Sequence, residues 1–227
     1  MIRYRVAGLI LILALVLTIP TVAQEPGEGG AIIWPNLGDD IATLNPLVAS
    51  DGPSHDIIAL IYPDFLGKDV NTKAYTPGDK GSLATAWTSS DDGLIYTFTL
   101  RDDWAWSDGT PITSADIQYA WDAISSGEVE FPYMGSVGSI ASVETPDPQT
   151  VVVTFAEADC QALDNADLLF PVPAHVYMEE FGTDYAAMNE AAEFNLSPQV
   201  TAGLFTFRNF RPGEQVTLLA DQNYPDS

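Results

Sequence analysis

Carboxylates are the most abundant groups in this chain that could do chemistry. The pairs Asp39-Asp40, Asp91-Asp92 and Asp102-Asp103, and the single Asp108, stand in polar, turn-rich stretches. Two carboxyl groups facing each other across about 5–10 Å are what a secreted glycoside hydrolase requires, so a carboxylate-dependent hydrolase is one reading. Spacing along one sequence does not bring two such groups face to face. Asp108 sits in a Ser-Asp-Gly-Thr-Pro turn, where Asp commonly accepts hydrogen bonds from its own backbone. A calcium loop needs alternating Asp or Asn, a glycine at its centre and a distal Glu, and none of the clusters has that spacing. His55 and His175, the only histidines, are far apart in sequence and read as surface or capping residues, not as a metal pair. Cys160 is the only cysteine; it permits no intrachain disulfide and is expected as a small buried apolar residue. Gly135-Ser136-Val137-Gly138 misplaces its Ser for a nucleophile elbow. Gly67-Lys68-Asp69 lacks the hydroxyl and the upstream glycine of a phosphate loop. No catalytic residue, metal or cofactor is expected.

The elements that must position such groups are clearest in Leu94–Ile124. Ser90-Asp91-Asp92-Gly93 is a cluster of turn formers. Tyr96, Phe98 and Leu100 then alternate with Ile95, Thr97 and Thr99, the period of two that marks a strand. Trp106 leads into a second turn, Ser107-Asp108-Gly109-Thr110-Pro111. Thr113 followed by Asp116 makes a capping box at a helix start. Ile117, Ala120, Trp121 and Ile124 fall on one face of that helix, and Gly127 is placed to end it. Trp104, Trp106 and Trp121 read as packing residues.

Met1–Ala23 reads as a secretory signal peptide. Arg3 and Arg5 form a positive start, Val6 to Val16 is almost wholly apolar, and Thr21-Val22-Ala23 offers small residues for cleavage. The apolar stretch is short for a membrane span of about 20 residues. A periplasmic or extracellular location is therefore expected, with residues 24–30 as a flexible leader. The chain has 227 residues, is 46% hydrophobic and carries a formal net charge of −24. That is a globular composition. A field so negative repels phosphate backbones, which excludes nucleic acid as a partner and gives only a diffuse bias toward cations.

Further along, Ala31–Trp34 reads as a strand. Ser54 is a candidate cap for a helix carrying Ile57, Ile58, Leu60 and Ile61 and stopped or kinked by Pro63. Residues 128–138 read as loop. Ile140–Val143 and Thr150–Phe155 read as strands around Pro146-Asp147-Pro148. Pro173 and Gly182 bracket a helix, and residues 179–199 read loosely. Leu204–Phe207 and Val216–Leu219 form a hairpin around Arg211-Pro212-Gly213-Glu214. Strands and helices mix without a strict βαβ rhythm, which predicts a mixed α+β or α/β architecture.

Several short blocks recur here in an order that resembles the extracytoplasmic solute-binding proteins of peptide and nickel ABC importers. They are Thr43-Leu44-Asn45-Pro46, Leu60-Ile61-Tyr62, Leu83-Ala84-Thr85-Ala86-Trp87, Ser90-Asp91-Asp92-Gly93-Leu94 and Phe98-Thr99-Leu100-Arg101-Asp102. Trp106-Ser107-Asp108-Gly109-Thr110-Pro111, Pro173-Ala174-His175, Ala202-Gly203-Leu204-Phe205, Arg211-Pro212-Gly213-Glu214 and Asn223-Tyr224 continue the series. The resemblance implies a two-lobed, type II periplasmic-binding-protein-like fold that closes around a solute. It implies no catalysis, a small peptide or related solute (a nickel chelate or an oligosaccharide), ABC permease subunits as partners, and a monomer. It places ligand contacts in a first loop at Ala49, Ser50 and Asp51 and in a second near Phe131, Tyr133 and Met134. An aromatic wall at Tyr133 would suit stacking and cation–π contact.

Three departures qualify the resemblance. Family members are about twice as long, Pro63 replaces a helix-compatible residue, and Pro225-Asp226-Ser227 comes after Tyr224 where an aromatic is usual. The expectation is therefore an incomplete protein, with residues 31–227 forming most of an N-terminal lobe and the second lobe missing. Half a cleft would bind solute weakly or not at all. Apart from the hydrolase, the remaining alternative is a sensor or chaperone lobe that binds another protein.

Overall fold

The computed structural model describes residues 32–33, 40–69, 71–78 and 81–225. Contacts divide the chain into Met1–Pro35 and Asn36–Ser227. The expected signal peptide, the leader and most of the expected strand Ala31–Trp34 lie outside the described residues; Ile32 and Ile33 belong to no strand. Among the described residues, every helix and strand lies in the second unit.

Helix α1 spans Gly52–Ile61, with Asp51 as its N-cap and Pro53 in its first turn, where the missing N–H costs nothing. It ends at Tyr62, one residue before Pro63. Ser54 is not the cap expected from the sequence. It is buried, and its Oγ accepts the N–H groups of Ala42 and Thr43, each at 3.2 Å. Strands β1 (Ala84–Ser89), β2 (Ile95–Leu100), β3 (Ile140–Asp147) and β4 (Thr150–Phe155) form an antiparallel sheet in the order β1-β2-β4-β3. Phe98 pairs with Trp87 on one side and Val151 on the other, and Tyr96 pairs with Val153. Directly opposed residues share a face, so the alternation in β2 and β4 builds one apolar surface of Phe98, Leu100, Val151, Val153 and Phe155, all buried. Phe65 packs on Phe98 with ring centroids 5.0 Å apart. Burying a side chain of that size contributes about 2–3 kcal/mol.

Helix α2 (Ser114–Ser126) covers this surface with Ile117, Ala120 and Ile124, all fully buried, while Trp121 is half-buried. The capping box is present, with the Asp116 carboxylate accepting the Thr113 N–H at 2.8 Å. Gly127 closes the helix at φ 73°, a left-handed conformation that suits glycine. Four elements complete the set: α3 (Met134–Val137), α4 (Ala162–Ala166), α5 (Ala174–Phe181) and α6 (Ala192–Leu196). A 3₁₀ turn covers Tyr185–Asn189, and the hairpin β5 (Phe205–Arg211) and β6 (Gln215–Ala220) forms a separate two-stranded sheet. The mixed α/β architecture, the α2 boundaries, α5 between Pro173 and Gly182, and the final hairpin agree with the sequence reading.

Other details differ. The stretch 128–138 contains α3, and residues 179–199 hold a 3₁₀ turn and α6 instead of a loose loop. The third strand runs on to Asp147, so the turn falls at Pro148-Gln149. Cys160 is exposed, not buried; it precedes α4 in an acidic, irregular segment that has no apolar face to bury.

Candidate functional site

The first loop is held from below by a buried amide pair. Asn45 Nδ2 donates to Asn195 Oδ1 at 2.9 Å, while Asn45 Oδ1 accepts the Leu47 N–H at 3.0 Å and the Tyr177 hydroxyl at 3.2 Å. Asn195 Nδ2 in turn donates to the Met188 carbonyl at 2.7 Å. Both asparagines are buried, so these bonds replace those that water would otherwise supply. The chain then emerges at Ser50, which is exposed, and enters α1 at Asp51, which is half-buried. Asp51 Oδ1 accepts the Ser54 N–H at 2.8 Å as an N-cap. Its Oδ2 is enclosed and has no hydrogen-bond partner among the described residues.

The second loop meets the first through a residue for which the sequence reading assigned no ligand role. His55 lies one helical turn after Asp51. Its Nδ1 is 2.7 Å from the Asp51 carbonyl oxygen and its Nε2 is 2.9 Å from the Tyr133 hydroxyl. A carbonyl oxygen can only accept, so Nδ1 carries a proton; when the ring is neutral this leaves Nε2 to accept from Tyr133. The two rings meet edge to face at 5.9 Å. Tyr133 also packs edge-on against Phe131 at 5.6 Å, and Phe131 against Phe170 at 6.3 Å.

The six expected contact residues therefore fall into two classes. Ser50 and Met134 are exposed, and Asp51 and Tyr133 are half-buried. Ala49 is fully buried and Phe131 nearly so. The signal for His55 was its spacing of four from Asp51, which puts the ring back over the helix start. Nothing in sequence announced Tyr133, 78 residues away, as its partner.

Several of the other carboxylates are held by hydrogen bonds. Asp92 accepts from the Ser90 hydroxyl and the Leu94 N–H, which hold its carboxyl below the ordinary range. Asp103 is held low in the same way by the Arg101 guanidinium. At Asp108 burial pushes the carboxyl up. Hydrogen bonds from the Thr110 N–H (2.9 Å) and His175 Nε2 (2.7 Å) outweigh it, so the group ends below the ordinary range. The Asp108 turn is thus scaffold that ties to α5, as its backbone-capping pattern suggests. Burial raises Asp116, whose oxygens accept the N–H groups of Thr113 and Ala174. Among the described residues, no three His, Cys, Asp or Glu side chains cluster to hold a metal.

A sequence model of the middle region of bacterial extracellular solute-binding proteins, family 5, matches residues 80–227. A putative ABC transporter peptide-binding protein of Brucella ovis is 30% identical over 209 residues, covering 90% of this chain and 36% of its own length. A probable D,D-dipeptide-binding periplasmic protein, DdpA of Escherichia coli, is 28% identical and covers 82% of this chain and 35% of its own. The chain thus spans about a third of the length of these relatives. Among solved structures, NikZ of Campylobacter jejuni in complex with Ni(L-His) superposes with a TM-score of 0.68 at 26% identity, covering 82% of this chain and 34% of that one. The oligopeptide-binding protein AppA of Bacillus subtilis, in complex with a nonapeptide, shares the fold with a TM-score of 0.74 at 22% identity, covering 83% of this chain and 36% of that one.

Proposed function

Because this chain belongs to the family 5 bacterial extracellular solute-binding proteins, we propose that it serves an ABC importer by capturing short peptides or a related small solute. Capture takes place outside the cytoplasmic membrane, after export directed by Met1–Ala23, and the solute passes to permease subunits in the membrane. The chain acts as a monomer. Residues 31–227 supply the N-terminal lobe, one wall of the cleft, and the wall works by complementarity without bond-making chemistry.

The observation that carries this reading is the junction of the two loops. Asp51 and Tyr133 are locked to the same imidazole, with exposed Ser50 and Met134 beside them in sequence. A preformed wall loses little conformational entropy when a ligand arrives. Its make-up, one aromatic face with a few fixed polar atoms, suits a small ligand. The names of the relatives favour peptides over other solutes. The carboxylates engaged in local hydrogen bonds remove support from a hydrolase.

The test is an amide chemical-shift titration of the isotopically labelled full chain with trialanine to millimolar concentration, where weak binding by one wall is still read out. Saturable shifts centred on Ser50, Asp51, Tyr133 and Met134 are expected. Saturable shifts elsewhere, or no response to peptides of two to five residues, would overturn the proposal.

A further inference from the structure

His55 makes hydrogen bonds through both ring nitrogens. The Nδ1 proton is committed to the Asp51 carbonyl, which also accepts the His55 backbone N–H at 3.2 Å as part of the helix. That carbonyl cannot donate, so the tautomer is set by the helix start itself. In the neutral ring the Nε2 lone pair then accepts from the Tyr133 hydroxyl, at 2.9 Å. A phenol has one hydrogen to give. Once it is given to His55, Tyr133 Oη, on a half-buried side chain, has only lone pairs left to offer.

We infer that His55 is a positioning residue that holds Tyr133 as an obligate acceptor, so that this wall selects solute groups that donate. An ammonium or a peptide N–H is favoured there, and a carboxylate or a carbonyl oxygen is refused. This rests on the reading that the wall faces solute, but its first half does not.

The geometry supports the assignment in two ways. The ring is restrained on three sides, by Asp51 through Nδ1, by Tyr133 through Nε2, and by the edge-to-face contact with the Tyr133 ring. Tyr133 in turn cannot swing freely, because its ring packs against Phe131 at 5.6 Å and Phe170 at 6.4 Å. A hydroxyl attached to a fixed ring, with its hydrogen already committed, is preorganised for a donor. Refusal of an acceptor group arises from the cost of leaving two lone pairs opposed with no hydrogen between them.

Two measurements on the full chain test this. The first is the nitrogen-15 spectrum of the His55 ring at neutral pH. The Nδ1–H tautomer is expected in the wild type and, because the Asp51 carbonyl sets it, in Tyr133→Phe as well, where only the Nε2 resonance should shift as its hydrogen bond is lost. An Nε2–H tautomer in the wild type overturns the inference whatever any ligand does. The second compares trialanine methyl ester, which offers an ammonium and no carboxylate, with N-acetyl-trialanine, which offers a carboxylate and no ammonium. The wild type should prefer the ester by about tenfold, as one charge-assisted hydrogen bond allows. His55→Ala frees the hydroxyl to donate and should cut that preference several-fold. Amide spectra of the variant report whether the fold is kept. His55→Gln, whose amide oxygen can still accept from Tyr133, should restore much of the preference. A preference that is the same in His55→Ala as in the wild type overturns the inference. If neither probe binds while the Nδ1–H tautomer is found, the failure lies with the solute-facing reading and takes the selectivity with it.

Discussion

Asp116 Oδ1 accepts the Ala174 N–H at 2.9 Å, so a carboxylate in the first turn of α2 closes the start of α5 as well as its own helix. The other oxygen takes the Thr113 N–H at 2.8 Å. Helix starts carry unsatisfied N–H groups and a partial positive charge, and one side chain answers two of them at 3% exposure.

Asp116→Asn keeps one acceptor oxygen and turns an NH₂ group toward one of the two N–H donors. It is expected to lower stability by about 1.5–3 kcal/mol, the range for a hydrogen bond to a charged group. Urea denaturation followed by circular dichroism measures this. An unchanged midpoint with an unchanged slope would show that the bridge contributes nothing.

Gly203 lies against the end of α1, where the N–H groups of Ala202 and Gly203 donate to the Ile61 carbonyl at 3.0 and 2.9 Å. A Cβ on Gly203 would strike the Leu60 carbonyl oxygen and stand 2.6 Å from the Ile61 carbonyl carbon. Both are backbone atoms that cannot rotate away. Gly203→Ala is therefore expected to cost at least about 2 kcal/mol through overpacking, whereas Gly52→Ala, which meets nothing within 4 Å, should be near neutral; thermal melts of the two variants measure the difference, and equal midpoints would refute it.

The buried pair Asn45–Asn195 predicts coupling. Removing either side chain leaves the other with an unmet amide in an interior where that costs about 1–3 kcal/mol. Asn45→Ala and Asn195→Ala should each destabilise the fold. Their double variant should cost clearly less than the sum, because the same 2.9 Å bond is lost only once. Strict additivity in a double-mutant cycle would exclude a direct link between the first loop and α6.

Asp108 gives the fold a pH dependence. Its carboxyl sits below the ordinary value of 3.8 because Thr110 and His175 donate to it. A carboxyl with a lowered pKa in the fold stabilises it at pH above the unfolded value, and that contribution disappears as pH falls through the folded one. The stability gap between wild type and Asp108→Asn should therefore be widest near neutrality and should shrink as pH drops below about 3.8. A gap that stays constant from pH 7 to pH 3 would mean that the carboxylate form is not favoured by the fold.

Local patterns were legible where local physics decides. The alternation Tyr96, Phe98, Leu100, the Thr113–Asp116 box, Gly127, and the hairpin around Arg211-Pro212-Gly213-Glu214 were all readable, because strand period, capping and turn chemistry act over a few residues. Short helices were not. The segments Ala162–Ala166 and Ala192–Leu196 are too short to carry a helical period, and α6 is anchored by Asn195 reaching Asn45 across 150 positions. Cys160 departs from its expected burial for a related reason: residue type sets an average burial, while position in the packed chain sets the actual one.

The sequence by itself determined the mixed architecture, the family resemblance and the two loops that hold Ser50, Asp51, Tyr133 and Met134. Only the tertiary structure decided that the loops meet, that His55 joins them, and that Ala49 and Phe131 are buried. The physical reason is reach. Capping and periodicity are written within one turn of chain, whereas a hydrogen bond between residues 55 and 133 exists only after the core has folded and brought their backbones together.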